Sequence, residues 1–233
     1  MSNEQADTIR SNKKLSSLVW EFNFRPDHYI HDSWLEKMPD GPLIRKLVGK
    51  HRSAERIVQH LFQRFGLENQ VFFHFSNSLT RIALWSGKDL EKLVLHTGSV
   101  LYYPKIQHII VREDVQKIRE LVGEDIFMFM QRSANRLRGK MELELDLPRK
   151  LPPRKWLVLA GMACFMTALQ DYPPALRKRL LLKLPQDWYE LHRRFRTHTM
   201  AQGLQQKECS ALIQKTAIEI RMGVGIDGQI RFS

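Results

Sequence analysis

The sequence predicts a mainly α-helical fold: a compact stack of short helices with a minor β element at about 71–85 and a candidate strand at 141–147. Three observations lead there. Apolar residues recur every three or four positions along most of the chain, the spacing that gathers them on one side of a helix. Pro and Gly punctuate these runs at short intervals, at Pro39-Asp40-Gly41-Pro42, Gly66, Gly98, Gly123 and Pro173-Pro174, so the helices are brief. Period-two alternation, the mark of a strand, is clear over Met141-Glu142-Leu143-Glu144-Leu145-Asp146-Leu147.

Element by element, Leu15, Leu18 and Val19 fit a frayed helix leading into a segment at Phe22. Asp32 or Ser33 can cap a short helix through Lys37, because a side-chain oxygen there accepts an unpaired N–H of the first turn. Leu43, Ile44, Leu47 and Val48, then Ile57, Val58, Leu61, Phe62 and Phe65, mark a helix pair or one bent helix that Gly66 closes. Val71-Phe72-Phe73-His74-Phe75 and Ile82-Ala83-Leu84-Trp85 are short and aromatic, and Ser76-Asn77-Ser78 between them suits a hairpin turn. Ser86 and Asp89 form a capping box for a helix to His96, with Gly98 as its stop. Pro104 starts or kinks the next segment, in which Ile106, Ile109 and Ile110 face inward. Val115, Ile118, Leu121 and Val122 follow with Gly123 as the stop, and a further helix covers 124–137.

Residues 148–155 hold three prolines and four basic residues and read as a linker. This divides the chain into a helical region 1–147 and a basic helical region 148–233 packed on it, with one continuous domain as the alternative. Beyond the linker, helices are expected at about 156–170, 174–183, 187–199 and 204–222, before a Gly-rich tail.

At 233 residues the chain can bury a core without staples. Its two cysteines, Cys164 and Cys209, have no partners at metal-ligand spacing, which suggests a reducing cytosol. The polar N-terminus lacks the layout of a secretory signal. The longest apolar run, 156–169, falls short of the roughly 20 residues that cross a bilayer, so a soluble protein with a buried core helix is expected. The formal charge of +12 is uneven: residues 138–196 hold 13 Lys/Arg against 6 Asp/Glu. Arg177-Lys178-Arg179 and Arg193-Arg194-Phe195-Arg196 should form a basic face that steers acidic partners, be they protein, nucleic acid or lipid.

Motif letters that suggest chemistry lack its context. Gly223-Val224-Gly225-Ile226-Asp227-Gly228 spells a dinucleotide fingerprint but follows a helix rather than a strand. Gly87-Lys88 lacks the upstream glycine of a phosphate loop. His28 and His31, or His192 and His198, would need further converging ligands to hold a metal. No catalytic set, metal site or cofactor site is expected. The candidate partner-binding residues are Tyr29 and Trp34, as exposed anchors, with Arg177, Arg179, Arg193, Arg194 and Arg196.

Two stretches carry a resemblance. One reads Phe22-Asn23-Phe24-Arg25-Pro26-Asp27-His28-Tyr29-Ile30-His31-Asp32-Ser33-Trp34-Leu35. The other runs over 81–137, through Arg81-Ile82-Ala83-Leu84-Trp85, Tyr102-Tyr103 and Phe127-Met128-Phe129-Met130. In order and spacing they resemble the accessory sorting-platform protein of bacterial type III secretion systems, the K component (SctK/YscK family). The resemblance implies a non-enzymatic adaptor in the bacterial cytoplasm, at the cytoplasmic face of the inner membrane. There it would link the forkhead-associated-like cytoplasmic domain of the inner-membrane ring protein to the C-ring-like pod protein, and so indirectly to the ATPase-stator complex. A basic nucleic-acid-binding regulator is the alternative; a steep loss of affinity with salt on DNA or RNA would mark it.

Overall fold

The computed structural model describes residues 13–48, 50, 52–139, 151–195 and 205–221. In chain order the helices are α1 (Lys13–Phe24), α2 (Asp32–Glu36), α3 (Gly41–Leu47), α4 (Ala54–Phe65), α5 (Ser78–Ile82), α6 (Gly87–Ile106), α7 (Arg112–Val122), α8 (Glu124–Phe129), α9 (Asn135–Arg138), α10 (Pro153–Ala168), α11 (Pro174–Leu182), α12 (Gln186–Arg194) and α13 (Gln206–Arg221). A single 3-10 turn, Pro26–His28, follows α1, and a π-helical segment, Met130–Ala134, joins α8 to α9. No strand occurs among the described residues, so the fold is mainly α as expected. The candidate strand at 141–147 lies outside the described residues.

The expected hairpin at 71–85 is replaced by an irregular stretch followed by α5. The Phe72 backbone has already found its partner, the Asn23 side chain, which donates to its carbonyl and accepts from its N–H, both at 2.8 Å. Asn77 then caps α5, its Oδ1 accepting from the Thr80 N–H at 2.8 Å.

The chain forms two compact units. One comprises the residues up to Leu90 with Tyr172–Tyr189; the other comprises Glu91–Asp171 with the residues from Glu190 onward. The chain passes from one unit to the other three times, within α6, between α10 and α11, and within α12. In the first unit α2, α3 and α4 enclose a core of Leu35, Met38, Ile44, Ile57 and Leu61. Gly66 closes α4 at φ 58°, the left-handed region that glycine enters without strain.

In the second unit one stretch of each of two helices is buried all round. Residues 93–101 of α6 and 156–165 of α10 are buried without a break, the pattern of helices at the centre of a core. A Cβ on Gly98 would stand 1.9 Å from the Leu157 carbonyl oxygen, and one on Gly161 would stand 2.0 Å from that of Val94. Each helix thus offers a glycine to the other's backbone. This is why Gly98 does not end α6, as the sequence reading expects: it is a point of close approach inside an apolar helix that continues to Ile106. α10 also packs against α7 and α13, and Cys164 and Cys209 are both buried, the first Sγ lying 3.7 Å from the second's carbonyl.

His96 belongs to the same buried stretch. Its Nδ1 lies 2.8 Å from the Lys92 carbonyl and its ring meets Phe129 edge-on at 4.3 Å. Burial lowers its pKa to about 4, outweighing the upward pull of the Lys92 carbonyl and Asp125.

Two outcomes follow from this core. Gly98→Ala should lower the unfolding free energy by about 1–3 kcal/mol, because a side chain is forced against backbone, whereas Leu43→Ala, at 59% exposure, should stay within about 0.5 kcal/mol; denaturant unfolding compares them. For His96, the unfolded chain takes up its proton near pH 6.5 and the folded chain only at about 4. Stability should therefore fall as pH drops through that window, by up to about 3 kcal/mol, and His96→Leu should remove that share of the slope in pH-resolved melts.

Candidate partner-binding surfaces

Two cations of α11 and Lys183, the residue that follows it, reach three different helix ends in the first unit. Lys178 Nζ donates to the Gly66 carbonyl just past α4, at 2.9 Å. Arg179 Nη2 donates to the Asn23 carbonyl near the end of α1, at 3.1 Å. Lys183 Nζ donates to the carbonyls of Ala83 and Trp85 after α5, at 2.8 and 2.9 Å. The last carbonyls of a helix have no partner within it and carry the negative end of its dipole, so cations are favoured there.

Arg179 is 1% exposed. Its guanidinium lies 5.9 Å from the Phe62 ring centroid, and burial lowers its pKa. Lys183 is buried against the rings of Phe22 and Tyr29, at 5.3 and 5.1 Å, and burial lowers its pKa to about 8. A Cβ on Gly87 would stand 2.8 Å from the Lys183 carbonyl, which accounts for the glycine of the Gly-Lys pair by packing.

The segment that carries the sequence resemblance closes over the same helix. Asn23 Nδ2 also donates to the Val19 carbonyl at 2.9 Å, and Tyr29 Oη donates to that of Phe22 at 3.0 Å. The His31 N–H reaches the Leu182 carbonyl at 2.7 Å. Ser33 Oγ accepts from the Gln186 N–H at 2.8 Å, and Trp34 Nε1 donates to the Leu184 carbonyl at 2.9 Å. The cap of α2 is His31, one residue before the expected Asp32 or Ser33: its Nδ1 accepts from the Ser33 N–H at 3.2 Å.

Set against these contacts, the candidate residues separate. Arg179 is a buried helix-end ligand rather than part of an exposed basic face, because the carbonyl it satisfies lies inside the unit. Tyr29 and Trp34 are half-buried rather than free anchors, since each polar atom is tied to backbone; burial also pushes the Tyr29 phenol up. Arg177 is half-buried, while Arg193 and Arg194 are exposed at the end of α12. Arg196, His198 and the Gly223 to Gly228 motif lie outside the described residues. Among the described residues no group of His, Cys, Asp and Glu could hold a metal ion, and no helix is long and apolar enough to cross a membrane.

Residues 17–222 match the family described as YOP proteins translocation protein K (YscK). The chain belongs to the YscK family. The Yop proteins translocation protein K of Yersinia pseudotuberculosis serotype I (strain IP32953) and that of Yersinia enterocolitica are each 24% identical to it over 169 residues, 71% of this chain and 78% of theirs. No solved structure matches the chain. A role in type III secretion follows from the family.

In this YscK-family chain the exposed large apolar side chains are the further partner-facing candidates. Trp20 and Phe24 stand out on α1 with Val71 nearby in sequence to Phe72, and Ile110 and Val111 on the α6–α7 connection. The sequence reading passed over Trp20 and Phe24; their i, i+4 spacing, apart from Val19 and Phe22, was the available signal.

Removing a buried helix-end ligand should cost far more than removing an exposed charge. Arg179→Ala should destabilise the protein by about 2–4 kcal/mol, through a cavity and an orphaned carbonyl. Arg193→Ala should stay within about 0.5 kcal/mol. Equal denaturation midpoints for the two variants would refute the helix-end role of Arg179.

Proposed function

We propose that this protein is a non-enzymatic adaptor of the type III secretion sorting platform, joining the cytoplasmic domain of the inner-membrane ring protein to the C-ring-like pod protein. It acts in the cytoplasm, at the inner face of the inner membrane, held there by protein contacts. The match to the YscK family over 17–222 carries the reading. An adaptor needs separate surfaces on firm supports, and the interior favours such a support: the buried cations of the first unit hold helix ends together, and α6 and α10 approach through paired glycines in the second.

The exposed Arg193 and Arg194 supply a basic contact for an acidic partner, which would speed encounter more than it would tighten the complex. The burial of Arg179 and Lys183 takes two cations away from any phosphate-binding face, so the nucleic-acid reading is the weaker one.

Deletion of the gene should abolish effector secretion while the membrane rings still assemble; normal secretion from a clean deletion would end the adaptor reading. Arg193→Glu with Arg194→Glu should slow association with the ring-protein domain or the pod protein and flatten its salt dependence, as expected for charges screened over about 8–10 Å, with an unchanged melt. Unchanged binding to both would make these arginines solvated surface, and loss of binding to duplex DNA alone would favour the regulator.

A further inference from the structure

Four residues of α1, Lys13, Ser17, Trp20 and Phe24, follow one another at i, i+4, i+7 and i+11 and are all exposed. That spacing draws a straight stripe along a helix. The buried residues of α1, Val19, Phe22 and Asn23, lie on a different side, so the stripe is not the helix's own core face turned outward. Trp20 is 53% exposed and Phe24 36%. Their ring centroids stand 6.2 Å apart, and Phe73 extends the row 6.5 Å beyond Phe24. Val71, 47% exposed, lies two residues before Phe73. Adjacent exposed aromatics of this kind are the residues that most often anchor an interface.

The two ends of the stripe differ in charge. Lys13 and Lys14 are exposed, form no ion pair among the described residues, and have no acidic residue beside them in the first turn. Glu21, two turns further on, lies 3.6 Å from the His28 ring. Ser17 is small and sits between the lysines and Trp20, which leaves room for a second backbone to approach α1.

We propose that this stripe, widened by Phe73 and Val71, docks an amphipathic α-helix of a partner protein whose apolar face ends in acidic residues. The aromatic row takes the apolar face, and Lys13 and Lys14 take the acids. The inference rests on the adaptor reading and supplies the chemistry of one of its two contacts. It differs from the Arg193 and Arg194 contact in being apolar at its centre, so the two should fail independently.

The test uses the full chain with the purified ring-protein cytoplasmic domain and, separately, the purified pod protein, titrated at two salt concentrations. Trp20→Ala with Phe24→Ala should weaken binding to one of them by at least about tenfold, the scale of losing an interface anchor. Lys13→Glu with Lys14→Glu should weaken the same complex and flatten its salt dependence. Both double variants should keep the wild-type unfolding transition; the lysine variant changes only exposed side chains, so it remains decisive if the aromatic one folds poorly. A photo-cross-linking residue at position 17 should map to an acidic amphipathic helix of that partner, and exchanging its acids for lysines should restore binding to the Lys13→Glu, Lys14→Glu variant. Wild-type binding by both variants would overturn the inference alone; a wild type that binds neither protein would overturn the adaptor reading with it. Self-association, or binding to anionic vesicles, that disappears in the variants would assign the stripe to a second copy or to a lipid surface and overturn the proposal.

Discussion

Helix ends leave carbonyl oxygens that nothing inside the helix can satisfy, and in the first unit cations on α11 and at its C-terminal cap answer three such ends. Lys178, Arg179 and Lys183 serve α4, α1 and the turn after α5 in that order. A buried cation without a carboxylate is costly unless its donors are used. Here several carbonyl dipoles and the faces of Phe62, Phe22 and Tyr29 take the place of a counter-ion. The arrangement explains why Tyr172–Tyr189 belongs with the first unit although it lies far along the chain: α11 is the piece on which α1, α4 and α5 end.

The second unit solves a different problem. Residues 93–101 of α6 and 156–165 of α10 are buried on every side and gain by that burial at its centre, yet two helices with side chains at every position would stand too far apart to pack closely. Gly98 against Leu157 and Gly161 against Val94 remove that separation at two points. His96 lies among these apolar residues in its neutral form, and its lowered pKa to about 4 is the electrostatic cost of that position.

For function, the consequence is a division of labour within the sequence. The segment 22–35, by which the chain resembles the type III secretion K component, is a clasp: Asn23, Tyr29, Ser33 and Trp34 each bind backbone. These contacts serve the fold of the first unit. The side chains the fold leaves exposed, the aromatic row of α1 and the arginines ending α12, are the ones we propose for contact with other proteins.

What the sequence by itself determined is what a few neighbouring residues decide. The helical class, the stop at Gly66 in left-handed backbone, the stop at Gly123, the Ser86 and Asp89 cap and the buried helix from 156 all follow from local sterics and local hydrogen bonds. Tertiary structure decided the rest. Gly98 reads as a stop by composition and is a packing contact only because Leu157 lies across from it. Arg179 reads as surface charge, since nothing near it in sequence reveals a carbonyl 156 residues away, and the same holds for Lys183 and a carbonyl 100 residues away. The aromatic run at 71–75 reads as a strand until Asn23, 49 residues earlier, takes the hydrogen bonds of Phe72 that a neighbouring strand would have made. A chain's near neighbours set its local geometry, whereas the partner of a buried polar group depends on which distant segments the core brings together.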